Sequence, residues 1–360
     1  MLYELLYSLH EYFSPFNVFR YITFRTSLAA FTALFVTFLI APYIIAWLKK
    51  ISMIQQIRND GPASHYSKAG TPTMGGIIIL ASITVSMLMW GDFKNIYIWV
   101  IMFALLGFGA IGFIDDYLKA VKKNPKGLRA LYKFSAQAVL ALSIGIYLYL
   151  NPKDPYTTVI SVPFFKKWLF DVGIFYIPFA AFVMVGSSNA VNLTDGIDGL
   201  AIGLVAIATL ATGALVYLSG HIEFARYLHI LYLPGIGELT VFCGAMIGAA
   251  LGFLWYNSHP AEVFMGDAGS LGLGGALGAL AVMTKHEIVL AVVGGIFVIE
   301  TISVVLQVAS FKLTGRRIFK MAPIHHHFEL KGWPESKVIV RFWIIGIILA
   351  LFSLATLKLR

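Results

Sequence analysis

The sequence predicts an all-α, polytopic integral membrane protein with about ten transmembrane helices and both termini on the outer side. Three observations carry this expectation. Of 360 residues, 59% are hydrophobic and only 12% are charged, about half the charged fraction of an ordinary soluble domain. Mean hydropathy is +0.80. Ten apolar runs approach the roughly 20 residues that cross a bilayer: residues 21–48, 75–90, 96–114, 131–150, 173–191, 200–219, 239–256, 270–283, 288–311 and 338–357. The second and eighth are short.

Ten spans leave nine loops, and the odd loops share one side. The first holds Lys49, Lys50, Arg58 and Lys68; the third holds Lys119, Lys122, Lys123, Lys126, Arg129 and Lys133; the ninth holds Lys312, Arg316, Arg317, Lys320, Lys331 and Lys337. The even loops are poorer, with Lys94, Lys153, Lys166, Lys167, Arg226 and Lys285. The positive-inside bias therefore puts the odd loops in the cytoplasm and both tails outside.

Composition also excludes. The net charge of +9 lies in loops between apolar spans, which suits anionic lipid better than nucleic acid. A single cysteine, Cys243, forbids an intrachain disulfide. The N-terminus carries Glu4 and Glu11 ahead of the first long apolar run, so no cleavable signal peptide is expected. Residues 1–360 read as one transmembrane domain, without a repeat of 20–50 residues. Gly109 and Gly112 on one span, and Gly274, Gly275 and Gly278 on another, read as close-packing positions.

The polar residues of the odd side carry chemistry. Asp115 and Asp116 end the third span, diverge by about 100° on a helix, and can bracket a cation or divide binding from activation. Asn192-Leu193-Thr194-Asp195-Gly196-Ile197-Asp198-Gly199 reads as a tight loop presenting oxygens, either an Asx-type turn or a hard-cation or ribose site, and lacks the terminal Glu of an EF-hand. Asn257 opens a segment in which Phe264 can stack on a base or face the membrane. In the same segment Asp267 stands between Gly266 and Gly269, where backbone can approach a phosphate or metal. His325, His326 and His327 suggest phosphate contact, proton handling or metal binding. They lack zinc-site spacing, and the oxygen-rich acids favour Mg2+. The first loop, with Lys68 and Thr73, can wrap phosphates. Within the ninth span, Glu300, Ser303, Gln307 and Ser310 form a polar stripe, so Glu300 is expected in a polar groove near the site. Carboxylates, phosphate-binding loops and histidines at one face suit phosphoryl transfer between a water-soluble and a lipid-soluble partner.

These motifs resemble the polyprenyl-phosphate N-acetylhexosamine-1-phosphate transferase family over nearly the whole chain. Asp115-Asp116, Asn192 to Gly199 and Met265-Gly266-Asp267 resemble the wider family. The run from Asn59-Asp60-Gly61-Pro62 to Gly75-Gly76 resembles the muramoyl branch, as does Ala322-Pro323-Ile324-His325-His326-His327 with Leu330-Lys331-Gly332-Trp333. The resemblance implies transfer of phospho-N-acetylmuramoyl-pentapeptide from its UDP conjugate to undecaprenyl phosphate, with Mg2+, at the cytoplasmic face of the bacterial inner membrane. Both termini would then be periplasmic, and branch members are usually homodimers. It further implies Asp267 as a Mg2+ ligand and Asp115 or Asp116 as the group activating the lipid phosphate. Lys68, Thr73, Asn192, Asp195, Asp198, Asn257 and Phe264 become nucleotide contacts. Lys119 and Lys133 join them as substrate-binding residues, and His325, His326 and His327 stand with the catalytic acids. Two rival classes compete. A secondary transporter would use the Glu300 stripe but should bind near the midplane between inverted repeats, whereas here the acids crowd at one face. A scaffold would leave the clustered acids and histidines unexplained.

Overall fold

A hydrophobic helix of about 20 residues satisfies all its backbone polar groups internally, as the bilayer demands, and the apolar runs do form such helices. A computed structural model of the chain describes residues 2–51, 70–120, 122, 127–163 and 168–358. In chain order the helices are α1 (Leu2–Ser8), α2 (Ile22–Lys50), α3 (Gly76–Trp90), α4 (Ile96–Ala120), α5 (Ala130–Leu150), α6 (Tyr176–Thr194), α7 (Leu200–Gly220), α8 (Ile222–Leu228), α9 (Leu239–Asn257), α10 (Gly266–Thr284), α11 (Glu287–Val293), α12 (Gly295–Thr314), α13 (Ile324–Glu329) and α14 (Glu335–Ala355). Nine segments among the described residues are long and apolar enough to cross a membrane, and α3 is a shorter apolar helix. The protein is thus an all-α, multi-pass membrane protein. One small exception is an antiparallel hairpin of β1 (Val159–Ser161) and β2 (Leu169–Asp171), placed between α5 and α6.

The structure corrects three expected boundaries. The third span does not stop at residue 114: α4 runs on to Ala120 and carries Asp115 and Asp116 inside it, both buried. Hydropathy ends a span at the first charge, but here Lys119, one turn on, pairs with Asp115 and the helix continues. The eighth span begins at Gly266 rather than 270, so Asp267 lies in the first helical turn, where the helix dipole favours an anion. The ninth span is broken at Gly294 into α11 and α12.

Helix α10 is the centre. Every residue from Ala268 to Thr284 is buried, and its Gly- and Ala-rich surface lets α4 and α6 pack along it. Helix α9 fills the other half of the core against α2, α7 and α3. At about 22 Å, α3 is shorter than the bilayer core of about 30 Å. The extended chain before it is satisfied by the segment before α10, through Phe264 N to Pro72 O (2.8 Å), Gly75 N to Phe264 O (2.8 Å) and Gly76 N to Met265 O (2.7 Å).

The loops separate onto two ends. At one end Asp116 accepts from Ala268 N, Asn192 donates to Asp267 and Asp198 accepts from Ala261 N. At the other, Arg25 donates to both carboxylate oxygens of Glu238 (2.8 and 2.6 Å), Asn95 to Gly235 O (2.7 Å) and Lys285 to Thr157 O (2.8 Å). The described parts of the odd and even loops fall on these two ends respectively.

Candidate active site

The crossing of α4 and α10 builds the site. Gly112 of α4 meets the backbone of Asp267, whose carbonyl oxygen a Cβ would overlap; Gly76 of α3 meets Gly269 in the same way. With no side chain between them, α4 delivers its two aspartates to the first turn of α10. Asp116 Oδ2 accepts from Ala268 N at 3.0 Å, capping α10 from a neighbouring helix. Asp115 Oδ1 accepts from Leu128 N at 2.6 Å.

Two ammonium groups then bridge two carboxylates. Lys119 Nζ is 2.8 Å from both Asp115 Oδ2 and Asp267 Oδ2. Lys133 Nζ, from the first turn of α5, is 3.1 Å and 2.8 Å from the same two oxygens. Asn192 Nδ2 lies 2.7 Å from Asp267 Oδ1 and 2.8 Å from Ser270 Oγ. Asp267 therefore collects contacts from α4, α5 and α6 while its side chain keeps 15% of its exposure. Just beyond α6, Asp195 is pushed well above the usual carboxylate range by burial, then by the charges of Asp267, Asp116 and Asp198.

Other expected site residues divide by placement. Asp198 is buried, and its Oδ2 accepts from His259 Nδ1 and Ala261 N, each at 3.1 Å. Asn257 accepts from Gly199 N (3.0 Å) and donates to Val263 O (2.8 Å), tying two loops together. Thr73 and Phe264 are half-buried on the paired segments beside Gly266. Lys68 lies outside the described residues. His325 and His326 both press on Gly196, where a Cβ would overlap His325 Nε2. His327 turns elsewhere, accepting from Lys320 N at 3.0 Å, and nearby burial and two lysines lower its pKa. Glu300 is fully buried within the bundle, 3.2 Å from His325 Nδ1, rather than facing lipid.

Comparison with known proteins fits this arrangement. Residues 98–285 match the model of glycosyl transferase family 4. Residues 68–80 match phospho-N-acetylmuramoyl-pentapeptide-transferase signature 1. The chain is 70% identical over 361 residues to a phospho-N-acetylmuramoyl-pentapeptide-transferase of Thermodesulfovibrio yellowstonii, covering 100% of both. The chain belongs to the phospho-N-acetylmuramoyl-pentapeptide transferase family.

In this family member several site groups escaped the sequence reading. Gln137 is fully buried and accepts from Asn189 Nδ2 at 2.6 Å. Helical spacing was the available signal: Gln137 follows Lys133 by four residues, Asn192 follows Asn189 by three, and Ser270 follows Asp267 by three. His259 and Glu335, which gather on Asp198, carried no such signal because they come from distant segments.

A hard cation suits the aspartate cleft. Two lysine ammonium groups stand between Asp115 Oδ2 and Asp267 Oδ2, so these oxygens already hold positive charge at that point. Carboxylate oxygens without sulfur suit Mg2+, which is usually held by one or two carboxylates and substrate phosphates. The aspartates do not form a closed cage. Among the described residues, the cluster with ligand atoms within 4.8 Å of one another is Asp198, His259 and Glu335. There Asp198 is engaged by His259 and Ala261, which is a loop-joining arrangement.

Proposed function

We propose that the chain transfers phospho-N-acetylmuramoyl-pentapeptide from its UDP conjugate to undecaprenyl phosphate, releasing UMP and forming a lipid-linked pyrophosphate intermediate of peptidoglycan synthesis. The observation that carries the reading is the meeting of Asp115, Asp116 and Asp267 under Lys119 and Lys133, at one end of a membrane bundle. Such a site can receive a soluble and a lipid-borne phosphate together. The family relationship supports the choice of sugar.

In this mechanism an oxygen of the lipid phosphate attacks the sugar-linked phosphorus. The bridging oxygen leaves with UMP, so one phosphoanhydride replaces another and the reaction is readily reversible. Lys119 and Lys133 draw the anionic substrates in and neutralise charge that spreads over the transferring phosphoryl oxygens. Asp115 or Asp116, anchored by Leu128 N and Ala268 N, activates the lipid phosphate by accepting its proton. Asn192 holds the Asp267 carboxylate in place. Asp267 would hold Mg2+, which when bound supplies further charge neutralisation on the diphosphate. The 195–198 loop and the segments carrying Thr73 and Phe264 line the nucleotide side, with Lys68 as a further contact. His325 and His326 stand against Gly196 and support the loop from behind.

The Lys and Arg asymmetry supports a cytoplasmic site and periplasmic termini in the bacterial inner membrane. The muramoyl-branch resemblance supports a homodimer. Purified protein mixed with both substrates and Mg2+ should release UMP in step with the lipid product. Absence of UMP with both substrates, Mg2+ and folded protein present would refute the reading.

A further inference from the structure

Glu300 of α12 and His325 of α13 are both fully buried, with 0% side-chain exposure, and His325 Nδ1 lies 3.2 Å from Glu300 Oε1. Among the described residues, neither carboxylate oxygen of Glu300 nor either ring nitrogen of His325 makes a hydrogen bond. Their contact is a close approach without the alignment of a hydrogen bond. An ionisable group in a spanning helix is costly, and removing one partner of a buried pair leaves the other uncompensated. A packing residue of the same shape would hold α12 to α13 without that cost.

The far side of the ring shows what the pair does. His325 Nε2 is packed so closely on Gly196 that no larger residue fits there. Gly196 follows Asp195, whose carboxyl interacts with those of Asp116 and Asp267. The chain Glu300, His325, Gly196, Asp195 thus runs from inside the bundle to the aspartate cluster. Of the neighbouring histidines, His326 also turns Nε2 towards Gly196 but takes its carboxylate from the next helical turn, whereas His327 turns away. His326 Nδ1 is 2.7 Å from Glu329 Oε2 of its own short helix, and His327 Nδ1 takes the Lys320 amide.

We propose that Glu300 is a positioning residue: it fixes the imidazole of His325 through Nδ1, so that Nε2 is the nitrogen presented to the 195–198 loop. A carboxylate opposite one ring nitrogen selects both tautomer and ring orientation. Glu300 itself touches no reacting atom. The kinetic consequence rests on the transferase reading of the site; the spectroscopic consequence does not.

The test uses the full chain in lipid nanodiscs, labelled with 15N-histidine, with His325 assigned by the signals lost in His325→Gln. In the wild-type protein His325 should show one tautomer with its proton on Nδ1. In Glu300→Gln its two nitrogen signals should move or average, while those of His326 stay in place. Turnover by Glu300→Gln should fall at least about tenfold, with KM for both substrates changed less than about twofold. In a His325→Gln background the same substitution should cost less than about a further twofold. Unchanged His325 signals in Glu300→Gln, or losses that multiply in the double variant, would overturn the proposal. If wild-type protein released no UMP, the transferase reading would fail and the nitrogen signals would still decide the role of Glu300. Should Glu300→Gln not fold, Glu300→Asp keeps the charge but withdraws it from Nδ1, and the same shift in the His325 signals is expected.

Discussion

Lys133 Nζ lies 2.8 Å from Asp267 Oδ2, joining the first turn of α5 to the first turn of α10 across 134 residues of sequence. The same nitrogen reaches Asp115 Oδ2 at 3.1 Å. Of the two bridging lysines it is the less exposed, at 17% against 42% for Lys119. It is therefore the one whose charge water screens less. Lys133→Met keeps the aliphatic stem and removes the ammonium. Turnover should fall at least about a hundredfold, the scale of removing one group that stabilises transition-state charge. Lys119→Met should cost less. UMP release by the two variants checks both the size and the order. Near-normal turnover by Lys133→Met would remove the lysine from the mechanism.

The Gly112 contact predicts a geometric failure. Gly112→Ala places a methyl on the Asp267 carbonyl and should push α4 from α10. Overpacking of this kind costs about 1–3 kcal/mol, and activity should fall further than stability because the aspartates separate. Gly186→Ala is the control, since a Cβ there meets nothing within 4 Å. Thermal unfolding and UMP release measured together on both variants would show it. Equal behaviour of the two would contradict the close crossing.

Much of this was legible in the sequence, for identifiable reasons. Spans are legible because lipid demands long apolar runs, and each of the ten expected runs is represented by helix. Ends failed where charge is answered locally: Asp115 and Asp116 looked like a helix end, yet Lys119 and Lys133 neutralise Asp115 and the Ala268 amide binds Asp116 inside the helix. The break at Gly294 is invisible to hydropathy because both halves are apolar. The acids grouped correctly on one end since each lies at the same end of its span. Their pairing did not emerge, because Gly112 against Asp267 is a contact between helices and leaves no local pattern. Glu300 was legible as a buried polar group, since a charge in a span needs company, but its partner His325 lies 25 positions on, as the numbering shows.

Arg25 tests the opposite end of the bundle. Its guanidinium bonds both oxygens of Glu238 and sits 4.1 Å from the Tyr3 ring centroid, with 2% side-chain exposure. Arg25→Met should destabilise the fold by about 3–5 kcal/mol by stranding Glu238. The folded fraction should keep its turnover per molecule, because the site is at the other end. A lowered turnover with unchanged thermal stability would show that this end is coupled to the chemistry.

Orientation in the membrane follows from the Lys and Arg division. A reporter active only in the cytoplasm, fused after residue 360, should stay silent, whereas the same reporter inserted in the 312–337 loop should be active. Activity at the C-terminus would invert the bundle and put the aspartates outside.

Asp267 gives the most direct test of the whole account. It receives Lys119, Lys133 and Asn192 and, in the proposed mechanism, would hold Mg2+. Asp267→Asn keeps the shape and removes the charge. UMP release from both substrates should be measured across a Mg2+ titration, for wild-type and variant protein of matched thermal stability. Wild-type protein should release UMP in a Mg2+-dependent way, and the variant should lose at least about a hundredfold, the scale of removing one preorganised group that stabilises transition-state charge. Near-normal, equally Mg2+-dependent release by Asp267→Asn would contradict the account.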